Sequence, residues 1–132
     1  MGDGGWPKLT APTFDAINAA GEYVGGVITP GVTISADALF ERAAKLPRVE
    51  IKRPGNVIGS ATVEAMQSGL YHGYVGLVDG ILRKMIDELG GAPKIIATGG
   101  LAPLIAKGSE FIREVDETLT LDGLRLVYER QK

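Results

Sequence analysis

The chain has no cysteine and a single histidine, His72, in 132 residues. Without cysteine, a disulfide scaffold and a Cys-ligated zinc site are excluded. One histidine excludes a His-rich metal centre. The formal net charge is only −2, which gives no electrostatic footprint for nucleic acid or another polyanion. No apolar run approaches the roughly 18 residues of a membrane span. The opening Met1-Gly-Asp-Gly-Gly-Trp-Pro7 lacks both the basic segment and the apolar core of a signal peptide. Cytoplasm is the expected location. Neither G-x-x-x-x-G-K-[ST] nor G-x-G-x-x-G occurs, so P-loop and Rossmann phosphate sites are excluded. No Ser-His-Asp set and no carboxylate pair stands out.

What is present suits one domain of ordinary composition, with 45% hydrophobic and 23% charged residues. At this length the fold should bury about two thirds of the unfolded surface. Glycine is abundant, 19 residues without a Gly-X-Y period, so collagen is excluded and glycines mark turns and close approaches. Residues 1–10 read as a loose start. Thr13–Ile17 and Glu22–Thr29 are β-prone runs around a short polar loop, which predicts a hairpin closed by Pro30-Gly31. Ser35 is a candidate N-cap for a helix over about 36–46, with Leu39, Phe40, Ala43 and Leu46 on one face and Pro47 as its stop.

Two further helices are predicted, over about 60–71 and 74–89. Gly69, Gly73 and Gly76 between them would form a smooth stripe for a close helix contact. Val78, Ile81, Leu82, Met85, Ile86 and Leu89 line the apolar face of the second, and Gly90-Gly91 with Pro93 end it. Lys94–Thr98 reads as a buried strand, followed by Gly99-Gly100 and a short helix from Leu101 to about Ala106. A strand over Ile112–Val115 and a helix over roughly 120–130 complete the chain, with Leu121, Leu124 and Tyr128 on the inner face. Strands alternating with helices predict an α/β fold with a parallel portion.

The segment Ile95–Leu104 joins a strand, two glycines and a helix start. Glycines there let backbone approach a planar or anionic ligand, and a helix N-terminus offers free N–H groups. The residues alone fit either a tight strand-to-helix turn or a nucleotide contact. His72 fits a structural or exposed role. Asp79 beside the apolar stripe fits a cap or hydrogen bond rather than catalysis. Asp37 fits the start of its helix. Lys45, Arg48, Lys52 and Arg53, interrupted by Glu41 and Glu50, read as a solvated face.

Several stretches resemble type III pantothenate kinases, in family order from Thr10 onward. They are Ser35–Arg48, Val57–Thr62, Met66–Gly69, Tyr74–Gly80, Ala97–Ala102 and Leu119–Tyr128. The resemblance implies a place in the acetate-kinase, sugar-kinase, Hsp70 and actin superfamily. Those enzymes transfer the ATP γ-phosphoryl group to pantothenate, the first step of coenzyme A synthesis. They use a divalent metal and a monovalent cation and are typically dimers. The fold implied is a single ribonuclease-H-like (actin-like) lobe over residues 11–132: a mixed β-sheet with an N-terminal hairpin and flanking helices.

The resemblance also implies what is absent. The Asp-x-Gly-Asn-Thr phosphate turn and the Gly-Ala-Asp-Arg segment with the base for the pantothenate hydroxyl belong to an N-terminal lobe and do not occur here. The family's second phosphate motif, Asp-Phe-Gly-Thr-Ala-Thr-Thr-Phe, aligns with Pro7-Lys-Leu-Thr-Ala-Pro-Thr-Phe14. Thr10 matches the ATP-contacting Thr. The cation-holding Asp falls at Pro7 and the phosphate-facing Gly at Leu9. Gly99 and Gly100 match the adenosine motif. Thr62 matches a Thr that contacts pantothenate from the neighbouring protomer, and its usual Asn neighbour is Ala61.

No catalytic or metal-ligating residue is thereby assigned to this chain, and no cofactor is expected for it alone. The expectation is a non-catalytic lobe that self-associates through the helices over 60–89, with weak nucleotide binding or none. The alternative is a working kinase completed by a separately encoded N-terminal lobe.

Overall fold

The computed structural model describes residues 12–42 and 46–116, and the backbone of 123–128. Leu9, Thr10 and the loose start over 1–10 lie outside the described residues. β1 (Thr13–Ile17) and β2 (Tyr23–Ile28) form the expected antiparallel hairpin. Its loop is an Asx turn: Asn18 Oδ1 accepts the N–H groups of Ala20 and Glu22 at 3.0 and 2.9 Å.

α1 (Val32–Arg42) begins directly after Pro30-Gly31. Ser35 is therefore inside the first turns and is no N-cap. Its N–H and its hydroxyl both donate to the Gly31 carbonyl, each at 3.0 Å. Asp37, now past the first turn, pairs with Arg48 at 3.2 Å on an exposed face. Arg48 also lies 4.1 Å above the Phe40 ring, which anchors the irregular stretch after residue 46 to α1.

α2 (Thr62–Leu89) is one continuous helix of 28 residues where two were expected. Its buried residues Met66, Leu70, Tyr71, Val75, Val78 and Leu82 follow one helical stripe straight through the glycines. Packing of that stripe outweighs a glycine penalty of about 1 kcal/mol per position. Gly69, Gly73, Gly76 and Gly80 face solvent, and a Cβ at any of them would meet no atom within 4 Å. The close helix contact expected at the first three is therefore not made within the described chain.

β3 (Pro93–Thr98), α3 (Ala102–Ala106) and β4 (Glu114–Val115) follow. β4 is shorter than the strand expected over 112–115. The last described element corrects the sequence reading outright. Gly123–Tyr128 is a strand, β5, and not part of a helix. It lies between β1 and β3, parallel to the first and antiparallel to the second. Leu124, Leu126 and Tyr128 alternate with Arg125 and Val127, so the segment carries a period-two pattern as well as a helical one. Two open strand edges decide between them.

The sheet order is β2-β1-β5-β3-β4. α2 covers one face through a core of Phe14, Val75, Val78, Leu82, Ala97, Ile105 and Ile112. No helix among the described residues is long and apolar enough to cross a membrane.

Candidate functional site

The sharpest backbone feature lies where β3 runs into α3. Gly99 has φ +109°, a conformation that side-chain-bearing residues avoid. Its carbonyl accepts the Ala102 N–H at 3.2 Å and so closes the turn. α3 has only five residues, too short to supply the helix-end charge that the sequence suggested. What the turn does supply is bare backbone at the mouth of a cavity of about 210 Å³.

Several parts of the chain wall this cavity, Pro12 before β1 among them. Gly31 and Val32 come from the start of α1, Tyr74 and Val78 from the middle of α2, and Ala97–Ala102 from the β3–α3 turn. Ile105 and Ile112 close the apolar floor. Val32, Val78, Ile105 and Ile112 are buried. Among the described residues the polar side chains of the lining are Tyr74 and Thr98, and none is charged. Such a surface suits a flat, uncharged ring and, among the described residues, offers a phosphate no charged side chain.

Tyr74 is half-buried, and loss of solvent raises its phenol above the usual 10.0. Thr29 acts against that rise, although its buried hydroxyl makes no hydrogen bond of normal geometry. The folded state thus favours the neutral phenol. Its contribution is complete below pH 10 and is lost as pH rises through the raised value. The stability of the protein should fall more steeply above pH 10 than that of Tyr74→Phe. Urea midpoints at pH 9 and 11 check this.

Asp79 does what the sequence suggested. It accepts the Ser109 hydroxyl at 2.5 Å and the Glu110 N–H at 2.8 Å. Ser109 Oγ in turn accepts the N–H groups of Phe111 and Ile112 at 3.1 and 3.0 Å. One carboxylate on α2 therefore fixes the loop that carries Ile112 into the cavity floor. His72 packs edge-on against Tyr71 at 5.0 Å, a structural contact.

Of the residues singled out from sequence, Gly99 and Gly100 are in this site. Thr62 is not. It is exposed at the first turn of α2, about 18 Å along the helix axis from Tyr74 at 1.5 Å per residue. Val32, Tyr74 and Ile112 were not picked out as site residues. Only Tyr74, inside the motif Tyr74–Gly80, carried a signal that could have pointed here.

An α/β domain with a strand–glycine–turn pocket is thus the class defined by fold and site. A family model of type III pantothenate kinases matches residues 9–84. The chain is 62% identical over 123 residues to the type III pantothenate kinase of Koribacter versatilis (strain Ellin345), covering 93% of this chain and 45% of that protein. It is 64% identical over 123 residues to that of Anaeromyxobacter sp. (strain Fw109-5), covering 93% and 48%. A crystal structure of a Baf family protein from Campylobacter jejuni has a TM-score of 0.44 at 15% identity, over 83% of this chain and 52% of that one. That likeness is too remote to bear on the fold.

The chain belongs to the type III pantothenate kinase family. It spans about half the length of the curated relatives it matches, as a C-terminal piece.

Proposed function

We propose that residues 11–132 are the C-terminal actin-like lobe of a type III pantothenate kinase and supply the base-binding half of its nucleotide site. The observation that carries this reading is the Thr98-Gly99-Gly100 turn, with Gly99 at φ +109° beside an uncharged cavity. The cavity is smaller than the roughly 300 Å³ at the low end of small-molecule sites. It has room for a ring but not for a whole nucleotide, so binding by this lobe alone is weak.

Phosphoryl transfer rests on positioning, metal and charged clamps around the phosphates. Among the described residues the cavity lining provides no charged side chain for such a clamp. The lobe therefore holds and orients the base and excludes water from it. The phosphate-side chemistry falls to the N-terminal half of the longer proteins. The second reading is a kinase completed by a separately encoded N-terminal half; the matched relatives carry both halves in one chain about twice as long.

Titration calorimetry separates the base from the phosphates. Adenosine and ATP should bind within about threefold of each other, near a millimolar Kd and without salt dependence. ATP binding tenfold tighter than adenosine would show a phosphate site that this reading denies. No binding of either would remove the nucleotide role.

The same reading includes self-association through α2. Support comes from the exposed stripe of Gly69, Gly73, Gly76 and Gly80 and from Val57, Ile58 and Val63 at 63%, 89% and 43% exposure. Nothing in the described chain uses the smoothness of that stripe. Gly73→Ala with Gly76→Ala should stabilise the monomer by about 2 kcal/mol through helix propensity and weaken the dimer. Thermal melts and light scattering at micromolar concentration measure the two effects separately.

A further inference from the structure

Among the described residues one buried side-chain polar atom goes unpaired. Thr29 is 6% exposed, and its hydroxyl makes no hydrogen bond of normal geometry. A buried hydroxyl without a partner lowers stability. A native fold that keeps one has a reason to do so.

The position of Thr29 supplies that reason. It follows β2 directly and precedes Pro30-Gly31, and its N–H donates to the Pro12 carbonyl at 3.1 Å. Pro12 and Gly31 both line the cavity at the Gly99 turn. Backbone thus fixes Thr29 in the cavity wall, where its hydroxyl cannot turn out to water. Its side chain reaches the phenol of Tyr74, which lines the same cavity from α2.

Counting donors and acceptors gives the pair a direction. Each hydroxyl has one proton to donate and lone pairs to spare. A buried donor without an acceptor is tolerated less well than a spare lone pair. The Thr29 proton therefore belongs on the Tyr74 oxygen, which leaves the Tyr74 proton for the cavity. The influence of Thr29 on Tyr74, which eases loss of the phenol proton, is that of a donor. Val32, Val78, Ile105 and Ile112 in the lining have no side-chain acceptor for the Tyr74 proton. A hydroxyl that itself receives a hydrogen bond also donates more strongly.

Resting on the base-holding reading above, we propose that Tyr74 is the specificity-determining donor of the cavity, aimed at a ring-nitrogen acceptor of the bound heterocycle, and that Thr29 positions it by donating to its oxygen. The ligand class is an aromatic heterocycle with an unprotonated nitrogen on its inner edge. A ring of the same shape with carbon at that place leaves the Tyr74 proton buried and unpaired, and binds less well. The free chain carries an unpaired hydroxyl because the pair is completed only around a ligand.

Thr29→Val keeps the shape of the side chain and removes the hydroxyl. It should raise the urea midpoint by about 0.5 M, because the unpaired buried group is gone. In NMR shift titrations it should bind adenosine about fivefold more weakly than the native chain. Thr29→Ser retains the hydroxyl and should restore the native affinity. A gain in stability with a loss of affinity is a signature that a purely structural threonine does not give. The ligand side uses three deaza analogues of adenosine, each with one ring nitrogen replaced by CH. One of them should bind the native chain about fivefold more weakly than adenosine, and Tyr74→Phe should bind that analogue and adenosine equally. Thr29→Val with native affinity or with lowered stability, deaza analogues that all match adenosine, or a preference that survives Tyr74→Phe would each overturn the proposal and leave the base-holding reading in place. No adenosine binding by the native chain would overturn both.

Discussion

Gly26→Ala should lower stability by about 3 kcal/mol or more, a large share of the roughly 5–15 kcal/mol that holds a domain of this kind together. A Cβ built on Gly26 would stand 2.1 Å from the Phe14 carbonyl oxygen. That oxygen belongs to the β1 backbone, so no side chain can swing away to make room. The hairpin must spread, and Phe14, fully buried at the centre of the core, moves with it. Gly25→Ala is the control. Gly25 sits at φ +145° with open space where a Cβ would go, so its cost is backbone strain alone, about 1–2 kcal/mol. Urea unfolding should show the Gly26 variant's midpoint falling by about 1.5 M for a slope near 2 kcal/mol/M, and the Gly25 variant's by only about 0.5–1 M. Equal losses would mean that close approach at Gly26 is not what constrains the hairpin.

Asp79→Ala should cost about 3 kcal/mol and disturb the pocket at the same time. The substitution strands the Glu110 N–H and the Ser109 hydroxyl, each half-shielded from water, at about 1–3 kcal/mol per lost partner. Ser109 then loses the contact that orients it toward the N–H groups of Phe111 and Ile112. Since Ile112 forms part of the cavity floor, any adenosine affinity should fall with stability. Asp79→Asn keeps one acceptor and should lose only about 1 kcal/mol. Chemical denaturation of the three proteins gives the order. An alanine variant as stable as the parent would show that the α2-to-loop link is not needed.

The hairpin, the apolar stripe of α2 and the β3–glycine–glycine turn were legible because each is written in a few adjacent residues. Asn18 and Gly21 close a turn, and Gly99 needs a backbone that other residues avoid. The pocket was only half legible. Val32, Tyr74 and Ile112 meet because α1, α2 and the loop after α3 pack together, and no local pattern encodes that meeting. Two readings failed for one physical reason. Glycines suggested a break in α2, and helical spacing suggested a helix near the C-terminus. Burial in α2 and ladder hydrogen bonds in β5 outweighed preferences of about 1 kcal/mol per residue. Ser35 failed differently: Pro30-Gly31 starts α1 earlier, and the hydroxyl bonds back to Gly31.

Pantothenate-dependent release of ADP from ATP is the measurement closest to the central claim. It should be followed for the purified chain alone and for the chain mixed with the N-terminal half of a longer relative. A lobe that holds the base but brings no phosphate-side charge predicts a rate for the chain alone that matches the blank. Turnover by the chain alone, clearly above the blank and dependent on pantothenate, would contradict that division of the site.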